Sequence, residues 1–102
     1  MTDDFLARFM PKFTAIARQR ITKSIELANQ RSPEHVPAIM RELHAIAGEA
    51  GLLGLGTIVI LARSGEEHAK RMRATQSVED ADVLLTTLTE LEGAIDKIVA
   101  SK

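Results

Sequence analysis

Few side chains in this sequence can do chemistry. In 102 residues there is no Cys, no Tyr and no Trp, so thiol catalysis, disulfides and zinc thiolate sites are excluded. The obvious candidates for nucleophilic work are the three histidines, His35, His44 and His68. They are not spaced to share a metal: no Glu-x-x-His occurs, and no two histidines stand one helical turn apart. No metal and no other cofactor is therefore expected. Gly48, Gly51, Gly54 and Gly56 follow an amphipathic stretch rather than a strand, which removes a dinucleotide-binding reading. No Ser/His/Asp arrangement, phosphate loop or helix-turn-helix signature stands out.

What separates the histidines is their surroundings. His44 directly follows Leu43, a residue of an apolar helical stripe, and so lies about 100° round the helix, at the edge of that stripe and open to solvent. The positions three, four and seven residues further on are Ala47, Gly48 and Gly51, which leaves the imidazole beside a stretch with almost no side chains. A helix-interior glycine costs about 1 kcal/mol relative to alanine, so a compensating gain is expected, namely close approach by another body. The alternative is that the helix ends near Gly48, but the apolar alternation runs on through Ala50 and Leu53. In an antiparallel hairpin turning near residue 55, His44 and Glu66 are equidistant from the turn, as are Ala47 and Arg63. A carboxylate at imidazole Nδ1 fixes the tautomer that leaves Nε2 unprotonated, the form a nucleophilic histidine needs, and Glu66 is the candidate for that role. His35, in a first helical turn, and His68, among charges, read as surface residues.

The elements that must position these groups are helical nearly throughout. Val36, Ile39, Leu43, Ile46, Ala50 and Leu53 alternate steps of three and four, as do Ala81, Leu84, Leu88, Leu91, Ile95 and Ile98. A shorter stripe runs through Ile58, Leu61, Gly65, Ala69 and Met72, and another through Phe5, Phe9, Phe13, Ile16, Ala17, Ile21, Ile25 and Ala28. Pro11 interrupts the last of these, predicting a short first helix and a new start or kink. Ser32-Pro33-Glu34 reads as an N-cap with proline at the first helical position, and Ser77 with Glu79, Asp80 and Asp82 as the last helix start. The predicted helices are 3–10, 12–30, 33–53, 57–74 and 78–100. The expected fold is all-α, an antiparallel four-helix up-and-down bundle with a short extra N-terminal helix, forming a single domain over 1–102.

The net charge of −1 argues against a nucleic-acid-binding protein, which needs a dense Lys/Arg footprint. Residues 1–31 carry a charge of +3 and residues 76–102 a charge of −4, an asymmetry read as solvated helix faces. The three phenylalanines cluster near the N-terminus and read as core rather than as a base-stacking platform. With no signal-peptide pattern and no apolar run able to span a bilayer, a cytoplasmic protein without membrane association is expected.

With these residues in place, the sequence resembles the histidine-containing phosphotransfer (Hpt) domains of two-component signalling. The family pattern, roughly His-x-Leu-Lys-Gly-x-Ala-x-x-Leu-Gly, is met by His44-Ala45-Ile46-Ala47-Gly48-Glu49-Ala50-Gly51-Leu52-Leu53-Gly54. The resemblance covers essentially the whole chain. In chemotaxis-type members a glutamate on the next helix supports the histidine, and Glu66 looks like its equivalent. One position departs from the pattern: the lysine three residues after the histidine is Ala47 here, so the positive charge near the incoming phosphoryl group is missing. Arg63, level with Ala47 across the hairpin, is the candidate to supply it.

The resemblance implies that His44 Nε2 accepts a phosphoryl group from a histidine kinase or a receiver-domain aspartate and passes it to a response-regulator aspartate. The protein would be a phosphoryl carrier, not a free-standing catalyst. Pro37, Met40 and Arg41, with Ala47, Gly48 and Gly51, would form the docking surface for those partners. A chain with four helices can complete its own bundle, so a monomer is expected. Two alternatives stay open from sequence: a degenerate, non-phosphorylated adaptor that binds a receiver or kinase, and a plain helical scaffold in which His44 has no special role.

Overall fold

The stripes are the inner faces of four helices. The structure, a computed structural model, describes the backbone of residues 2–100 and the side chains of residues 7–100. Helix α1 covers Thr2–Asn29, a 3-10 turn at Pro33–His35 leads into α2 (Val36–Leu52), and α3 (Gly56–Thr75) and α4 (Val78–Ala100) follow. Helix α1 packs on α2, α2 on α3, α3 on α4, and α4 returns to α1. Neighbours in sequence are thus neighbours in space, the arrangement short connections force on antiparallel helices.

The core is built from the residues whose period matches the helix. Val36, Ile39, Leu43, Ile46 and Ala50 of α2 and Leu84, Leu88, Leu91 and Ile95 of α4 are fully buried. Each large aliphatic chain so buried contributes roughly 1.5–3 kcal/mol, which is what holds helices of ordinary propensity together. The α2–α3 turn needs a glycine: Gly54 has φ 73°, and the following Leu55 N–H returns to the Ala50 carbonyl at 2.9 Å, closing the helix end. At the start of α4 the Asp80 N–H donates to Ser77 Oγ at 3.1 Å. The Asp80 carboxylate in turn accepts the Thr75 and Ser77 hydroxyls. The Thr75 hydrogen bond is the main cause holding the Asp80 carboxyl below the usual range.

Several expectations need correction. Helix α1 runs through Pro11 without a break, so there is no separate short N-terminal helix. Pro11 forfeits one backbone bond to the carbonyl of Ala7, but Ala7, Arg8 and Pro11 are all exposed, and water can serve the orphaned carbonyl. Ser32 makes no side-chain cap, and the first turn after it is 3-10 before α2 proper starts at Val36. On α1 the buried line is Phe13, Ala17, Ile21, Ser24 and Ala28, and Ile16 is 42 % exposed. Phe9 is half-exposed rather than core, with the Lys12 ammonium 5.6 Å from its ring centroid. Steps of four rotate a helix by about 40° each, so the four-residue spacing carries Phe9 off the buried line. Phe5 lies outside the described side chains.

Candidate functional site

The site begins with an interior contact. Leu43 is fully buried against α3, where Gly65 is also buried, and a Cβ at Gly65 would stand 2.9 Å from Leu43 Cδ1. The two helices therefore approach more closely here than any other residue at 65 would allow without repacking. The residues that follow these two along the chain, His44 and Glu66, are brought together at the rim of that contact. His44 Nδ1 lies 3.4 Å from Glu66 Oε1, with the imidazole side chain 73 % exposed and the carboxylate side chain 13 % exposed. Arg63, one turn back on α3, places Nη1 3.8 Å from Glu66 Oε2. One largely buried carboxylate is thus shared by an imidazole and a guanidinium, an arrangement that orients the ring through Nδ1 and leaves Nε2, the nitrogen across Cε1, out of that contact.

Around the imidazole the surface is shallow. Pro37, Met40, Arg41, His44, Ala45 and Glu66 line an open depression of about 460 Å³. Beyond it, α2 continues past Gly48 to Leu52, so both glycines are helical and the early-ending alternative fails. A Cβ at Gly48 would meet nothing within 4 Å, and one at Gly51 would only touch Val59 Cγ2 at 4.0 Å. Nothing inside the fold requires glycine at either position. Ala47 departs from expectation: it is 2 % exposed and cannot offer surface to a partner. Its place three residues after His44 and four after Leu43 turns it inward, between the imidazole and the core.

The sequence reading missed three contributors. Gly65 was legible only as a member of an apolar stripe, although a glycine among larger stripe residues is itself a sign of close approach. Leu52 and Ile60, 84 % and 70 % exposed, add apolar surface at the hairpin end of the same two helices. Both are large apolar residues outside the helical stripes, and that mismatch is their signal in the sequence.

The remaining titratable groups belong elsewhere. His35 Nε2 is 2.8 Å from Gln30 Oε1, and His68 lines a groove between α3 and α4 with Ser64, Asp82 and Glu90. On the α1 side of α2, Glu42 accepts from Arg20 Nη1 at 2.9 Å and lies 3.2 Å from Lys23 Nζ. Burial pushes the Glu42 carboxyl up, but the hydrogen bonds and charges of Arg20 and Lys23 outweigh it and hold the group below its usual range. Among the described residues no cluster of His, Asp and Glu is placed to hold a metal ion. None of the described helices is long and apolar enough to cross a membrane.

Comparison with known proteins agrees with this geometry. The Hpt domain family model matches residues 3–100. No curated protein and no solved structure gives a significant match. The match spans nearly the whole bundle, and it takes in both the exposed histidine of α2 and the glutamate of α3 that faces it. The chain therefore belongs to the Hpt domain family, whose general role is histidine phosphotransfer in phosphorelays.

Proposed function

We propose that this protein is a phosphorelay intermediate in which His44 is the phosphorylated residue and Glu66 its positioning partner. The observation that carries this reading is the 3.4 Å approach of His44 Nδ1 to Glu66 on a ring whose side chain is otherwise largely in solvent. A neutral imidazole with its proton on Nδ1, facing Glu66, has its nucleophilic lone pair on Nε2. In the forward step Nε2 forms a bond to phosphorus, and the bond from phosphorus to the donor aspartate oxygen breaks, its electron pair leaving with the carboxylate. Because Nδ1 keeps its proton, the phosphorylated ring carries a formal positive charge, and the Glu66 carboxylate faces it. The same proton makes the ring a good leaving group, since transfer to the next aspartate releases neutral imidazole.

The protein supplies position more than chemistry. Charge neutralisation in phosphoryl transfer would be supplied largely by cations bound in the partner's own site, and what His44 must do is reach in line with the scissile bond. A receiver domain or histidine kinase would dock on Pro37, Met40, Arg41 and the surface opened by Gly48 and Gly51. The working unit in this reading is the single, monomeric bundle, acting in the cytoplasm without nucleic acid, membrane or cofactor. Its test is incubation of wild type and His44→Gln with a phosphorylated receiver or an autophosphorylated kinase. Acid-labile phosphate on wild type alone is the expected result, and equal labelling of His44→Gln would sink the assignment.

The second reading, an adaptor that binds a receiver without taking up phosphate, draws on one observation. The lysine of the family pattern is an alanine here, and Ala47 is buried. In the same experiment it predicts complex formation with no label on wild type or on His44→Gln.

A further inference from the structure

The missing lysine raises the question of which group faces the phosphoryl charge on this side of the transfer. The geometry points to Arg63, held on Glu66 in the unphosphorylated protein, as the cation that takes the phosphoryl group once it is on His44. This rests on the reading of His44 as the phosphorylated residue.

Two observations carry it. Arg63 Nη1 and His44 Nδ1 lie 3.8 Å and 3.4 Å from the two oxygens of one carboxylate, so the guanidinium already stands one group away from the ring. The Arg63 side chain is 59 % exposed, and on a long flexible stem its head can move from the carboxylate to a neighbouring anion without disturbing the core.

The exchange has a physical logic. Before phosphorylation Glu66 is the nearest anion to Arg63. Afterwards the phosphoryl group carries more negative charge and presents oxygens suited to the planar fork of a guanidinium. Arg63 moves to the stronger anion, and Glu66 is left to the ring Nδ1–H, which has just gained positive charge. A single arginine thereby couples the two halves of the site. Arg41 is the competing cation, since it lines the same depression from α2, but it has no contact with Glu66 at ion-pair distance.

The test reads the phosphoryl group directly and needs no cognate partner. Wild type, Arg63→Ala, Arg63→Lys and Arg41→Ala are phosphorylated with phosphoramidate, a small donor to imidazole. The second ionisation of the phosphohistidine is then followed by phosphorus NMR as pH is varied. A nearby cation favours the dianion, so Arg63→Ala should raise the group's proton affinity roughly fivefold, about 0.7 of a pH unit. Arg63→Lys should retain most of the wild-type position, and Arg41→Ala should leave it in place. A purely structural role for Arg63 would not move this titration. Wild-type titration of Arg63→Ala, or a shift confined to Arg41→Ala, overturns the assignment of Arg63 while the relay reading stands. Absence of any label on wild-type His44 overturns both.

Discussion

His44 differs from His35 and His68 in what stands beside it rather than in its ring. His35 is turned to Gln30 and His68 to a groove of hydroxyls and carboxylates, whereas His44 alone has a carboxylate on one nitrogen and open surface around the rest of the ring. The carboxylate is the largely buried member of the pair, so it is the better fixed and sets the ring's orientation. Glu66→Gln keeps the shape but removes the charge that faces the phosphorylated ring. An opposite charge this close is worth on the order of 1.4 kcal/mol, so phosphorylation of His44 should slow about tenfold while the far-UV circular dichroism stays unchanged. Phosphotransfer at the wild-type rate would show that Glu66 is only a neighbour. At this scale the sequence said a good deal: the equal distance of His44 and Glu66 from the turn was enough to pair them. It said less about Ala47, because a residue at a stripe edge goes in or out according to how closely the next helix approaches.

At the scale of the element, that approach is set by Gly65. Alanine there would gain about 1 kcal/mol of helix propensity, but its Cβ would need Leu43 to move within a filled core. Gly65→Val should therefore cost roughly 1–3 kcal/mol through overpacking and should also pull Glu66 from His44. Combining it with Leu43→Ala relieves the clash, so urea denaturation should give a double-variant cost well below the sum of the single ones. Simple additivity would mean the two helices are not in the contact described. The exposed glycines make the contrasting case. Gly48→Ala and Gly93→Ala meet nothing within 4 Å, and each should stabilise the protein by about 1 kcal/mol. A bulky Gly48→Phe should slow transfer with a receiver, while Gly93→Phe on α4 should not. The helices themselves were legible because four stripes at helical period leave little choice of fold. The exception was α1, where Pro11 reads as a break by local rules yet sits in an exposed stretch that can leave one carbonyl to water. Helix starts followed the same division: Ser77 caps α4 as its sequence suggests, while Ser32 does not cap, because a proline-led 3-10 turn intervenes before α2.

For the whole molecule, the uneven charge along the chain has a structural counterpart that composition could not locate. Cations of α1 and of the segment after it meet anions of later helices: Arg18 with Asp96 at 2.8 Å, Arg31 with Asp82 at 2.7 Å, and Arg20 and Lys23 with Glu42. The first two pairs are largely solvated, as the sequence reading supposed, and contribute little. Glu42 is different, with a side chain only 15 % exposed and two cations on it. Its carboxyl is held below the usual value, so the unfolded chain binds a proton at Glu42 more readily than the folded one does. The stabilisation is therefore complete above the unfolded value, near pH 4.5, and is lost as pH falls through the lower folded value. Asp80, also depressed, acts in the same direction at the start of α4. Glu42→Gln should cost about 1 kcal/mol in urea denaturation at pH 7, and the gap between the two proteins should close as the solution is taken from pH 5 toward pH 3. A gap that persists unchanged at pH 3 would mean that Glu42 acts through its shape and not its charge.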